Sequence, residues 1–446
     1  MGALISFLFS FVVAAAPRPR IYFAPKPASI RVRNIAPFEQ GDEISLSDLV
    51  ATHCPTLHTS FRPAWWLKGG HLQTLWSVAG DFSKIDKVEY ERTLLRTVDG
   101  GTLGLDFTGP SNSELLPEET PVVVVLHGLT GGSYESYVRA VLAPACTPLA
   151  QGGLGYRAVV VNFRGCAGVP LTSPRLYSAG TTDDIRTALM YISATYPKAP
   201  LLGVGFSLGA NVLTRYLAEE GERSRLNAGI LTYTRLAYLC DGDYLALELR
   251  REWQSHLATA VQFPDSPMAA AMPAILEMKR PFLADYDQAM TCLAGGASPP
   301  FPFPTVCDYY TWASTDDALR EVRVPLLAIN AADDPIVTKL PVDEKDGCCV
   351  WSPYVVFGVT EGGGHLGWFE KDTSMPFGVK RWITKPVLEW LRVMGDVVVD
   401  ERCMTALRQV DGFVKEVGRD DVGYQKLKGG GHVVGVEGQK GVWAGL

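Results

Sequence analysis

Five stretches of the chain are apolar at almost every position: Val122–Leu126, Arg157–Phe163, Leu201–Phe206, Pro325–Asn330 and Tyr354–Val359. Short runs without alternation are expected of strands covered on both faces, as in a parallel sheet. Segments of helical spacing lie between and after them. One is capped at Thr181-Thr182-Asp183-Asp184, where the dipole favours acidic residues, and runs to about Tyr196 before Pro197 and Pro200. A second spans Ala210–Leu217, and a closing amphipathic helix is expected over Val379–Met394. Ahead of them, Val88–Leu95 and Thr102–Phe107 bracket Asp99-Gly100-Gly101, a hairpin signal for an antiparallel lead-in. The alternation predicts an α/β fold with a mostly parallel central sheet flanked by helices.

The remaining stretches divide the chain. Residues 1–20 hold the apolar run Ala3–Ala16, ended by P-R-P-R at Pro17–Arg20. That run is shorter than the roughly 20 residues of a membrane span and has no basic residues before it, as a signal peptide would. Two readings stay open for it: a weak anchor on a membrane or lipid droplet, with Arg18 and Arg20 at cytosolic headgroups, or a frayed tail. The opening M-G-A-L-I-S also fits the loose pattern for myristoylation of Gly2. Residues 21–87 read as a wrapping segment. Within it Phe61–Leu75 sets Trp65, Trp66 and His71 beside a Gly-Gly turn, which favours packing over a catalytic role for His71. The α/β domain is placed at 88–425, with an insertion at about 243–304 that is helical around Leu245–Val261 and Met268–Met290 and ends in a Pro/Gly-rich turn, Ala294–Pro304. The glycine-rich residues 426–446 read as a loose tail.

Chemistry enters at Leu201–Leu213, L-L-G-V-G-F-S-L-G-A-N-V-L. A strand runs into Ser207 between Gly205 and Gly209 and a helix follows, the pattern of a nucleophile elbow. The turn is too tight for side chains at the glycine positions, and the hydroxyl stands over a helix N-terminus. A serine nucleophile needs a base and an orienting acid, in this order of chain Ser, Asp, His at the ends of later strands. After Pro325–Asn330 come Asp333 and Asp334, which compete for the acid; the turn Asp334-Pro335-Ile336-Val337 favours Asp334. Of seven histidines, only His365, in G-G-G-H-L-G-W, follows a strand beyond that pair, so it is the expected base. The loop after Val122–Leu126, H-G-L-T-G-G-S, would bring one backbone N–H to the substrate oxygen and Leu208 the other. Leu129 is the expected first donor, with Thr130 the competing amide.

Composition narrows the field. A net charge of −7 offers no basic surface, which excludes nucleic acid as a partner. The G-K-[ST] of a phosphate loop is absent, and nine scattered cysteines give neither a metal knuckle nor a disulfide framework, so no cofactor or metal is expected and an intracellular, reducing compartment is. His53, Cys54 and His58 are the one cluster suggestive of a metal, and loop packing explains them as well.

H-G-L-T-G-G-S, N-F-R-G-C-A-G, G-F-S-L-G-A-N, A-A-D-D-P and G-G-H-L-G-W, with W-W-L-K-G-G-H-L-Q-T upstream, resemble the YheT-like branch of the α/β-hydrolases from about Ile21 to Val399. The resemblance implies the α/β-hydrolase fold with a helical lid insertion, and a triad of Ser207, Asp334 and His365. Fungal members of the branch include medium-chain fatty-acid ethyl-ester synthases and esterases and monoacylglycerol lipases. An acyl ester or lipid is therefore the implied substrate and an alcohol a candidate acceptor. The chain departs from the branch at Asn227–Asp243, where N-A-G-I-L-T-Y-T-R-L-A-Y-L-C-D-G-D replaces the usual Cys-Pro-Trp turn. That departure is the best support for the competing reading, a noncatalytic α/β-hydrolase scaffold.

Overall fold

Every residue of the apolar runs is buried where it forms a strand. The computed structural model of the protein describes residues 17–33, 42–108, 116–232, 256–279, 281–342, 352–374 and 377–434. Its main sheet holds twelve strands: β1 (Arg20–Phe23), β2 (Glu89–Thr97), β3 (Thr102–Thr108), β4 (Val122–Leu126), β5 (Arg157–Asn162), β6 (Leu201–Phe206), β7 (Ala228–Thr232), β8 (Leu326–Ala331), β9 (Val355–Thr360), β10 (Leu407–Val410), β11 (Phe413–Glu416) and β12 (Gly423–Val434). Their spatial order is β1-β9-β8-β7-β6-β4-β5-β3-β2-β12-β11-β10. The block from β9 to β5 is parallel throughout, and both flanks are antiparallel. This is the α/β-hydrolase architecture.

The helices that matter to the site are α1 (Leu46–His53), α2 (Gly70–Ala79), α3 (Ser136–Cys146), α4 (Asp183–Thr195), α5 (Leu208–Glu220), α6 (Pro267–Glu277) and α7 (Thr384–Arg392). One core, including Val123, Val125, Val138, Val204 and Trp390, lies between the sheet and α3 and α7. The other, including Val124, Val161, Leu189, Leu213 and Leu217, lies against α4 and α5. With both faces covered, the free edge of the parallel block is at its carboxyl ends, where the loops after β4, β6, β8 and β9 meet.

Three expectations change. The loose tail is, through Val434, the strand β12, paired with β2 from Thr97 to Glu89 with a bulge between Lys426 and Gly430. Main-chain hydrogen bonds form this pairing, so three consecutive glycines do not prevent it. The closing helix starts at Thr384 because Val379–Arg381 instead pairs antiparallel with Phe369–Lys371. In the insertion, α6 ends at Glu277 and Pro281 separates it from a short helix at Leu283–Tyr286, since a proline cannot continue the hydrogen-bond ladder. Residues 256–262 are helical; the rest of the expected helix from Leu245 lies outside the described residues, as do residues 233–243 of the departure and residues 1–16 of the apolar segment. No helix among the described residues is long and apolar enough to cross a membrane.

Candidate active site

At the end of β6 the backbone of Ser207 takes φ 49° and ψ −119°, a conformation that costs a residue with a side chain on the order of 1–3 kcal/mol. Packing enforces it. A Cβ on Gly205 would lie 2.7 Å from the Ala210 Cα, and one on Gly209 would lie 2.4 Å from the Leu126 carbonyl oxygen. Only glycine lets the elbow press this closely on β4.

The loop after β9 brings His365, fully buried, onto the elbow: its Nε2 lies 2.9 Å from Ser207 Oγ and its Nδ1 2.8 Å from Asp334 Oδ2. A carboxylate at Nδ1 fixes the proton there, so Nε2 presents a lone pair to the hydroxyl. Asp334 is held in turn by the amides of Ile336 and Val337, which donate to Oδ1 at 2.7 and 2.9 Å. Burial would raise this carboxyl, but the imidazole and those two amides together hold it below the usual carboxylate range.

Asp333 faces elsewhere. Its Oδ1 accepts from the Gly364 amide at 2.9 Å, so it braces the histidine loop rather than the ring, and burial raises its carboxyl. The other side of that loop rests on α2. Thr74 Oγ1 accepts from the His365 amide at 2.8 Å while donating to Gly70, and Ser77 Oγ donates to the Leu366 carbonyl at 3.0 Å. Gln73 exchanges hydrogen bonds with both backbone groups of Phe369. Half-buried Arg381 closes the circuit, its guanidinium donating to the Leu366 carbonyl, to Ser77 Oγ and, at 2.7 Å, to Ser136 Oγ at the start of α3. Burial lowers it to about 9.

The glycine loop after β4 lies beside the elbow. The Thr130 amide donates to the Tyr177 hydroxyl at 3.2 Å, and the Gly128 amide to the Tyr137 hydroxyl at 3.0 Å. Among the described residues the Leu129 amide has no such partner, and the Leu208 amide, first in α5, has no intrahelical one. His127 sets the loop's root: its Nδ1 lies 2.7 Å from the Gly128 carbonyl and its Nε2 accepts from the Phe163 amide at 3.2 Å.

The sequence pattern of the alpha/beta hydrolase family matches residues 123–379. The chain belongs to that family. It is similar to a monoacylglycerol lipase of Saccharomyces cerevisiae, 29% identical over 411 residues that cover 80% of this chain and 86% of that protein. It is likewise similar to the human phospholipase ABHD3, at 30% identity covering 73% of this chain and 78% of that one. A third relative is the medium-chain fatty acid ethyl ester synthase/esterase 2 of S. cerevisiae, at 28% identity covering 80% and 91%.

In this α/β hydrolase the three side chains expected of a triad come together: Asp334, and not Asp333, is the carboxylate bonded to His365, and the Thr130 amide is taken up by the Tyr177 hydroxyl. His71 is exposed on α2. His53, Cys54 and His58 belong to the end of α1 and the turn after it; among the described residues no group of three or more His, Cys, Asp or Glu could hold a metal. The supporting roles of Thr74, Ser77, Gln73 and Arg381 escaped the sequence reading. The available signal was H-L-Q-T, which puts polar residues at adjacent positions of an otherwise apolar helix.

Two predictions arise here. A Cβ on Gly70 would lie 1.7 Å from the Asp333 carbonyl oxygen, so Gly70→Ala is expected to lower the unfolding free energy by about 1–3 kcal/mol, read by urea denaturation. Burial lowers His127 from 6.5 to about 4. Between those values the unfolded chain binds a proton that the folded protein excludes, so this residue's contribution is lost as pH falls. His127→Gln is therefore expected to flatten the decline in stability across that window, by at most about 3 kcal/mol, in urea titrations at pH 7 and pH 4.5.

Proposed function

We propose that the protein is a serine carboxylester hydrolase acting on medium-chain or lipid acyl esters through an acyl-serine intermediate. The observation that carries this reading is the buried relay from Asp334 through His365 to Ser207, at 2.8 and 2.9 Å. His365 Nε2 takes the Ser207 proton as Oγ attacks the ester carbonyl carbon. The resulting oxyanion faces the Leu129 and Leu208 amides, and each such donor is worth about 3–4 kcal/mol of transition-state stabilisation. Collapse expels the alcohol, which leaves with the proton held on His365. Water then gives one proton to His365 as it attacks the acyl carbon, and His365 returns that proton to Ser207 Oγ as the acyl–oxygen bond breaks and the acid leaves.

Apolar surroundings support a fatty acyl group. Leu129 and, just beyond the acid, Ile336 and Val337 pack with Met268, Met272, Ile275 and Met290 of the insertion, a cluster rich in adaptable side chains. The names of the three relatives point the same way, and the ethyl ester synthase/esterase favours an alcohol as a second acceptor in place of water.

The test is hydrolysis of p-nitrophenyl esters of graded chain length, with and without ethanol. The reading expects kcat/KM to peak at medium or longer acyl chains, with ethyl ester among the products when ethanol is present. Release of nitrophenol no faster with wild type than with Ser207→Ala, at any chain length, would favour the noncatalytic scaffold.

A further inference from the structure

Helix α2 is built inside out. Its buried face is polar, Gln73, Thr74 and Ser77, while Leu72, Leu75 and Trp76 on the other face are 45%, 38% and 37% exposed. A helix packed on a core and bathed by water has the reverse arrangement. Exposed apolar residues also lie on the segment before α2, on the loop that carries Phe377 and on the insertion. Trp65 and Phe377, both largely exposed, touch each other and Trp66 at ring separations of 5.4 to 6.3 Å. Val78 packs against the cluster of the insertion, whose Leu276 and Phe282 are also exposed. Single exposed hydrophobic residues are ordinary; three on one helix face, with an exposed tryptophan in the segment before it, mark a contact surface.

Charge indicates what that surface meets. From Phe61 to Gly80 the chain carries Arg62 and Lys68 and no carboxylate, in a protein whose net charge is −7. Both cations are exposed. Tryptophan and leucine beside lysine and arginine, in a segment with no carboxylate of its own, is the chemistry of a face that enters the headgroup layer of an anionic phospholipid surface.

We propose that the outer face of α2, with Trp65 and Phe377, docks the protein on an anionic lipid surface. The same helix grips the His365 loop through Thr74 and Ser77, so one element would link the docking face to the site that receives a lipid ester. That consequence rests on the proposed hydrolysis; the docking does not.

The test uses the full chain and vesicles of phosphatidylcholine, alone or mixed with phosphatidylserine. Wild type is expected to co-sediment with the mixed vesicles more than with phosphatidylcholine alone. Leu72→Ser/Leu75→Ser/Trp76→Ser is expected to bind the mixed vesicles on the order of 100-fold more weakly, with its unfolding midpoint and its turnover of a short, water-soluble ester unchanged. Because the apolar amino-terminal run can contribute binding of its own, a local readout is added. Brominated phosphatidylcholine is expected to quench tryptophan fluorescence of wild type, and Trp76→Phe to lose part of that quenching. Equal binding by wild type and the triple variant, together with undiminished quenching in Trp76→Phe, overturns the proposal. So does a wild-type dimer that the triple variant dissolves while vesicle binding persists, since the face would then belong to a second copy. Loss of vesicle binding in the triple variant with no ester hydrolysed by either protein would sustain the docking and refute the proposed activity.

Discussion

Ser207→Ala is expected to reduce kcat for a medium-chain p-nitrophenyl ester by about 10⁶-fold, the scale seen when a triad serine is removed, with the unfolding transition in place. The size of the effect follows from the geometry. In the proposed chemistry the hydroxyl is the atom that would form the acyl bond, and His365 Nε2, 2.9 Å away, has no other hydroxyl as a hydrogen-bond partner among the described residues. Residual catalysis would come from the Leu129 and Leu208 amides and from binding alone. Steady-state rates of the two proteins, purified alike and checked by thermal unfolding, read the result. A loss of only a few fold would mean that turnover uses another nucleophile.

The second large effect separates two adjacent residues. In Asp334→Asn, the side-chain oxygen must stay with the Ile336 and Val337 amides, 2.7 and 2.9 Å from Oδ1, which turns the new NH₂ toward His365 Nδ1. Two donors then face each other unless the imidazole moves its proton to Nε2, and in that form it cannot accept from Ser207. A fall in kcat of about 10⁴-fold is expected. Asp333→Asn keeps an oxygen for the Gly364 amide and is expected to cost less than about tenfold. Parallel kinetics on the two variants decide between the carboxylates, and the reverse order of losses would move the acid to Asp333.

The parallel block was legible because its strands are buried on both faces, which forces unbroken apolar runs such as V-V-V-V-L at Val122–Leu126. The elbow was legible for a similar reason: Gly205 and Gly209 leave no room for a Cβ, so sterics write the motif into the chain. Between Asp333 and Asp334 the sequence offered only a preference from the Asp334-Pro335-Ile336-Val337 turn, since both follow the same strand and the direction of each carboxyl is what distinguishes them. The role of α2 was hidden by distance. Thr74 meets the His365 amide across 291 positions of chain, and its partner is a backbone group that carries no residue identity. Strand β12 was hidden by composition, because the glycines at 429–431 look like slack while the main chain of Gly430 and Gly431 is paired with β2.

Everything in the proposed chemistry depends on Ser207 being a hydroxyl that His365 makes nucleophilic. Reaction of the full chain with a fluorophosphonate, followed by proteolysis and mass spectrometry of the peptides, reads that state directly. The expected result is one adduct per chain, on the peptide that contains Ser207, formed far more slowly in Asp334→Asn. Absence of an adduct on folded protein, or an adduct on a different serine, would contradict the account.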